Sequence, residues 1–308
     1  MKMWRNKLNF DNTTLITGGS GLVGSSLKGG KKPSRTEVNL LEENSLCEYM
    51  KHHHIKNVIH CAGKVGGIKA NMENNASFFR ENLLLGLNVF ESCRKNNIEK
   101  LIVFLSTCIF PAKVEYPLTH DQIFSGPPHS SNYGYSYAKR MLRILERSYR
   151  EQYGLKCISV IPCNIYGPYD NFNLNDGHVL PALIHKFYLA TQTNSDVEIW
   201  GTGNEKREFL FAEDLHHIIY WIFNNYTEED PLIISPDEVF IKDVVEIIKE
   251  EFDFKGNIIY NGEMSGQLKK PSDSSRLNEL FNPNYTPLEI GIKKTIKWFM
   301  ENYENVRS

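Results

Sequence analysis

A β-branched run, Thr13-Thr14-Leu15-Ile16-Thr17, leads straight into Gly18, Gly21 and Gly24, and Leu22-Val23 open a helical pattern behind them. Strand, glycine turn and helix together let a phosphate lie against backbone N–H groups, where a Cβ would stand in the way. Near the N-terminus this predicts the first βα unit of a dinucleotide-binding sheet, with a purely structural turn as the alternative. The prediction constrains everything downstream. It demands parallel strands buried on both faces and alternating with helices.

The chain meets that demand. Apolar strand-like runs stand at 57–61, 100–106 and 156–162, and a helical period over 74–95 places Phe78, Phe79, Leu83, Leu84, Leu87 and Phe90 on related faces. A long helix is predicted over 133–153. Beyond residue 165 the character changes. A Gly-, Pro- and Asn-rich loop over 166–178 precedes a helix at 179–191, strands near 197–200 and 208–211, and helices near 213–225, 241–252 and 286–303. The expected architecture is α/β: a Rossmann-type doubly wound parallel sheet over 1–165, and a smaller α/β domain over 166–308 that closes a cleft, with some crossing back of the chain.

Composition excludes several other classes. The 35 Lys+Arg against 37 Asp+Glu leave a net charge of −2, so no basic surface for nucleic acid is suggested. No apolar run approaches the ~20 residues that span a bilayer, and no signal-length apolar stretch follows the basic start Met1–Lys7. The six cysteines form no CxxC pair, which favours free thiols and a cytoplasmic protein over a zinc knuckle. His52-His53-His54 point in different directions on a helix and read as solvated surface, so no metal is expected.

Tyr135 and Lys139 stand four apart, on one face of the predicted helix. An ammonium near a phenol favours the phenolate and would lower its pKa, so that Tyr135 could exchange a proton with a substrate oxygen. Tyr137 falls on a different face from Lys139. Ser106 ends a strand, and Cys108 follows two residues later, where strand alternation can point both the same way. A thiolate there could take a proton alpha to a ketone. A small buried hydrophobe is the plainer reading of the same cysteine.

These features resemble the extended, nucleotide-sugar-modifying branch of the short-chain dehydrogenase/reductase superfamily. Longer segments are similar to the GDP-L-fucose synthase family (GDP-4-keto-6-deoxy-D-mannose 3,5-epimerase/4-reductase): GGSGLVG at 18–24, KVGGI at 64–68, LSTCIFP at 105–111, GPPHSSNYGYSYAKRM at 126–141, NIYGPYDNFN at 164–173, DGHVLPALIHKF at 176–187, WGTGNEKREFL at 200–210 and GQLKKPSDSSRL at 266–277. The resemblance implies the following roles. Gly18, Gly21 and Gly24 cradle the NADP(H) pyrophosphate. Leu22, Val23, Arg35, Leu105, Ser106, Pro162, Asn164, Ile165 and His178 complete the cofactor site, with Lys139 on the nicotinamide ribose. Ser106 and Tyr135 bind the C4 oxygen, Cys108 is the epimerisation base and His178 its partner acid. Lys186, Trp200, Arg207 and Asp273 hold the GDP-sugar. It also implies a homodimer paired through the helices near 74–95 and 133–152.

The chain departs from that pattern in two places. The stretch 28–36 is short, and Gly29-Gly30 imply a truncated first helix. Its Lys31, Lys32 and Arg35 lean toward a 2′-phosphate and NADPH. Cys163 stands where the family has Thr and would weaken a cofactor hydrogen bond. Its nearness to the cofactor would also make the protein oxidation-sensitive. Other readings are a nucleotide-sugar 4-epimerase, a 4,6-dehydratase, a reductase of another GDP-4-keto sugar, or a non-catalytic NADP-binding protein. Cys108-Ile109 after Thr107, in place of an acid pair, disfavours the dehydratase.

Overall fold

The computed structural model describes residues 8–262 and 268–307. Met1–Lys7 and the Gly266-Gln267 start of the last segment quoted above lie outside them. In chain order, β1 (Phe10–Thr17), α1 (Leu22–Ser26) and β2 (Gly29–Lys31) are followed by α2 (Glu43–His52), β3 (Asn57–His60), α3 (Ile68–Glu73), α4 (Asn75–Lys95) and β4 (Lys100–Phe104). Next come α5 (Tyr133–Tyr153), β5 (Cys157–Pro162), β6 (Asn164–Tyr166), α6 (Val179–Thr193), β7 (Val197–Ile199), β8 (Lys206–Phe211) and α7 (Asp214–Asn225). The chain continues through β9 (Leu232–Ile234), β10 (Glu238–Phe240), α8 (Ile241–Glu251), β11 (Ile258–Tyr260), α9 (Ser275–Leu280) and α10 (Leu288–Asn302).

Six strands form one parallel sheet in the order β2-β1-β3-β4-β5-β9. Successive side chains of a strand face opposite ways, and the core divides accordingly. Leu15, Val58, Leu101 and Val103 pack toward α2, α4 and α5. Ile16, Ile59, Ile102 and Phe104 pack on the other face, against Leu215, Ile218, Ile219 and Ile222 of α7 and Leu277 of α9. Strand order reverses between β1 and β3. The chain leaves their paired carboxyl ends toward opposite faces of the sheet, which is where open α/β sheets bind ligands.

A second apolar core joins α6, α8 and α10 to β6, β7 and β8. β6, β8 and β10 form a three-stranded sheet, and β7 pairs with β11. β9 and α7 return from this part of the sequence to complete the six-stranded sheet and cover its face.

The shortness of 28–36 has a definite outcome. α1 runs for only five residues. Gly29 and Gly30 do not extend it; both take positive φ and start β2, the sheet's outer strand. β4 also stops at Phe104, short of the Ser106 end expected from sequence. Ser106 Oγ accepts the Cys108 N–H at 3.2 Å and caps a single 3₁₀ turn, Thr107–Ile109. Cys108 is therefore presented by a turn and not by strand alternation.

Candidate active site

The glycine turn is shaped by backbone contact. Gly18 adopts φ +68°, and a Cβ there would lie 2.8 Å from the Ala62 backbone, at the end of β3. A Cβ on Gly24 would meet the Gly18 carbonyl at 2.2 Å. The Gly21 N–H donates to the Gly18 carbonyl at 3.0 Å and closes the turn. Beneath it, Thr17 Oγ1 bonds His60 Nδ1 at 2.8 Å and accepts the Ala62 N–H at 3.3 Å. Burial, with the Lys139 charge adding, holds the His60 pKa down at about 3, so the ring stays neutral. Lys32 lies over Gly19, and its ammonium bonds the Leu27 carbonyl. Arg35 stands exposed in the turn after β2, farther along the chain than the lysine that covers the loop.

α5 carries Tyr135 and Lys139 to the carboxyl end of β4. Buried Glu146 ties the helix to β5 through the Ser159 hydroxyl, and Arg143 and Arg150 pair with it at 2.9 and 3.1 Å. Lys139 is buried, and its ammonium donates to the Phe104 carbonyl at 2.8 Å. It lies 5.9 Å from the centre of the Tyr135 ring. Burial pulls its pKa down to about 8, against the pull of the Cys61 thiol.

Tyr135 meets Ser106 and Cys108 at this point. Burial pushes its phenol well above the usual range, Cys108 adds to the effect, and a hydrogen bond from Ser106 works against it. This reverses the direction the Tyr–Lys spacing predicts. Lys139 directs its ammonium at the Phe104 carbonyl, so desolvation outweighs it and favours the neutral phenol. Tyr137 faces elsewhere, between Tyr133 and the Arg140 guanidinium.

The 61–67 loop forms another margin. Asn82 of α4 grips both polar groups of Lys64, accepting its N–H and donating to its carbonyl, each at 2.9 Å. The Gly67 N–H then donates to the Asp176 carbonyl at 2.7 Å, which fixes the segment before His178. His178 is exposed, yet enough protein surrounds it for desolvation to lower its pKa, as expected in a concave wall.

The remaining predicted residues fall in three places. Leu105 follows β4, Pro162 ends β5, Asn164 and Ile165 open β6, and the Asn164 amide donates to the Glu208 carbonyl at 3.0 Å. Lys186 donates to the Glu198 carbonyl at 2.9 Å and lies 5.3 Å from the Trp200 ring centre. Trp200 is 56% exposed and lines an open apolar cavity with Ile68 and Met72 of α3. Arg207 is half-buried on β8; desolvation lowers its pKa, while Glu205, Glu238 and Tyr116 oppose that. The Asp273 N–H donates to the Leu118 carbonyl at 2.9 Å, and its carboxylate accepts the Ser275 N–H at 3.0 Å. Cys163 is buried, and burial drives its thiol well above the usual range, so the expected oxidation sensitivity finds no support.

The sequence reading passed over three residues. Asn82, Arg140 and Lys270 each hold backbone beside the site, from distant segments that no local pattern links. Arg140, next to Lys139, and Lys270 lay within quoted motifs, with nothing there to mark their roles, and Asn82 lay outside them all. Among the described residues no three potential ligands gather to hold a metal, and no helix is long and apolar enough to cross a membrane.

Residues 14–235 match the NAD-dependent epimerase/dehydratase family. The chain is 43% identical to a GDP-L-fucose synthase of Dictyostelium discoideum, over 96% of this chain and 97% of that one. It is 36% identical to a GDP-L-colitose synthase of Yersinia pseudotuberculosis, over 94% and 99%. A crystal structure of a Naegleria fowleri GDP-L-fucose synthetase bound to NADP superposes with a TM-score of 0.90 at 36% identity, covering 96% of both chains.

Proposed function

The chain belongs to the NAD-dependent epimerase/dehydratase family and, within it, to the GDP-L-fucose synthases, and from that premise we propose that it converts GDP-4-keto-6-deoxy-D-mannose to GDP-L-fucose. The steps are epimerisation at C3 and C5 followed by NADPH-dependent reduction at C4. The observation that carries this reading is the meeting of Ser106, Cys108 and Tyr135 at the end of β4, two hydroxyls beside one thiol.

The residues fit the dinucleotide. The closed glycine turn leaves Gly21 open, since a Cβ there would touch only the Gly18 carbonyl, at 3.4 Å. Gly18, Gly21 and Gly24 would hold the pyrophosphate, with Leu22 and Val23 at the start of α1. So short a helix adds little field of its own, so Lys32, with Arg35 beyond it, would supply charge toward a 2′-phosphate. Leu105, Pro162, Asn164, Ile165 and His178 would line the cofactor, and Lys139 would take the nicotinamide ribose. When bound, NADPH supplies the hydride that reduces C4.

The protein side of the chemistry follows from the donors. A C4 ketone acidifies C3–H and C5–H, because each carbanion delocalises into it. Ser106 and Tyr135 donate hydrogen bonds to the C4 oxygen and stabilise that enolate. The Cys108 thiolate takes the proton from one face, and His178 returns one to the other. Tyr135, held as a phenol by burial, then gives its proton to the C4 alkoxide. Lys186, Trp200, Arg207 and Asp273 hold the GDP moiety, with Arg207 as the phosphate fork.

We place the chain in two functional parts, 1–165 for the cofactor and 166–308 for the GDP-sugar, with β9 and α7 crossing back. Six free cysteines fit a cytoplasmic protein. Phe79, Leu84 and Leu87 of α4 and Ile144 and Tyr153 of α5 are exposed, which supports a homodimer through these helices.

One experiment tests the whole. Wild type and Cys108→Ser are given NADPH with GDP-4-keto-6-deoxy-D-mannose, and light scattering reads the mass of the same preparations. Wild type should consume NADPH and release GDP-L-fucose at the mass of two chains, while Cys108→Ser should reduce without epimerising. NADPH binding without turnover would move the substrate to another GDP-keto sugar, the reading that the Yersinia relative favours.

A further inference from the structure

Both carbonyls flanking Cys108 are held by cations from elsewhere in the chain. Arg140 Nε donates to the Ile109 carbonyl at 2.6 Å, and Lys270 Nζ donates to the Thr107 carbonyl, also at 2.6 Å. The Cys108 N–H is committed to Ser106. Arg140 sits on the same helix as Tyr135. Lys270 arrives from 163 residues away, on a strap that is stitched down along its length.

The Leu268 carbonyl accepts the Lys206 N–H at 2.8 Å, and the Lys270 N–H donates to the Glu238 carboxylate at 2.9 Å. The Ser272 N–H and hydroxyl both donate to Glu208, at 2.6 and 2.8 Å. Asp273 is anchored on Leu118. Drawing an ammonium out of water on so ordered a strap is unfavourable unless its charge has a use.

We propose that Lys270 is the positioning residue of Cys108: through the Thr107 carbonyl it fixes where the thiol sits, and its charge favours the thiolate that proton abstraction requires. The proposal rests on the reading of Cys108 as base. Tyr135 faces the thiol from α5 and Lys270 faces it from the strap, while Arg140 reaches it only through the Ile109 carbonyl. Arg207 and Glu208 of β8 face Lys270 from behind. Burial lowers the ammonium's pKa, and Cys108 works against that more than Glu208 does. The ammonium sits one peptide unit from Cys108, on the Thr107 carbonyl, so its charge would act on negative charge that develops at the sulfur. The same strap carries Asp273, so seating of the GDP-sugar and placement of the base share one segment.

The test reads the thiol and not turnover. The full chain is alkylated with iodoacetamide from pH 6 to 10, and modification of the Cys108 peptide is followed by mass spectrometry in wild type, Lys270→Gln and Lys270→Arg. Gln keeps a donor for the Thr107 carbonyl and removes the charge. Its Cys108 should react about tenfold more slowly at pH 7, on a profile displaced to higher pH, while Arg stays near wild type. A Gln profile that superposes on wild type overturns the proposal.

A wild-type measurement guards against a variant that does not fold. A nearby cation accelerates an anionic reagent, so Cys108 should prefer iodoacetate to iodoacetamide more strongly than free cysteine does. A ratio at or below that of free cysteine also overturns the proposal. If Cys108→Ser epimerises normally while Gln displaces the profile, the base assignment falls and the positioning role stands.

Discussion

On one wall of the cleft, Thr17, Gly18, Gly21 and Gly24 follow each other within a single turn of chain, and what they present is backbone. The side proposed for the GDP-sugar draws instead on Lys186, Trp200, Arg207, Lys270 and Asp273, from α6, the end of β7, β8 and the strap, and it would present side chains. The first wall needs glycines at fixed offsets because a Cβ on Gly24 would lie 2.2 Å from a carbonyl. That requirement leaves a dense local signature. The second wall needs only that each side chain arrive, and a lone Lys, Trp or Arg in sequence is ordinary. A ligand wall is legible in sequence to the extent that backbone geometry, and not long-range packing, builds it.

The largest effect is expected where the two walls meet. Tyr135→Phe removes the proton donor while leaving the ring that packs near Lys139. Reduction of the keto sugar should fall by about 10²–10⁴-fold, with NADPH binding retained in a fluorescence titration. If reduction survives, the proton comes from another group, and His178 becomes the candidate.

Two glycines sharpen the contrast further. Gly24→Ala drives a Cβ into the Gly18 carbonyl and should cost about 1–3 kcal/mol of stability in urea unfolding, since neither backbone has room to move. Gly21→Ala meets nothing closer than 3.4 Å and has an ordinary φ of −86°, so the unliganded chain should keep its stability. Its loss should appear only in NADPH affinity. Equal effects in both assays for both variants would mean that the turn does not separate folding from binding.

The same contrast accounts for what sequence reading reached. α5 was legible to the residue, because Tyr133–Tyr153 is long and periodic. The end of β4 was not, because a serine side chain capping its own turn outweighed the strand propensity of the run. The direction of the Tyr135 shift was also missed. Spacing locates Lys139 on the correct face, but it does not say that a carbonyl of β4 takes the ammonium. Lys32 was visible as charge and Lys270 as part of a motif. The place of each over its turn depends on chain brought back from elsewhere.

The smallest effect tests whether the backbone wall rests on a neutral ring. His60 is buried against Thr17 with its pKa held at about 3, against about 6.5 in an unfolded chain. Below pH 6.5 the unfolded state therefore takes up a proton that the native state refuses. Stability falls as the pH drops from 6.5 toward 3, with a contribution from this group of up to about 1.4 kcal/mol per pH unit. His60→Gln keeps a polar partner for the Thr17 hydroxyl and cannot titrate. Urea unfolding at pH 7, 6 and 5 should give the variant a shallower decline than wild type, whatever its absolute stability. Parallel declines would mean that His60 is protonated within the native fold. The Thr17 hydroxyl would then have to turn to another acceptor, and the turn above it would depend on pH.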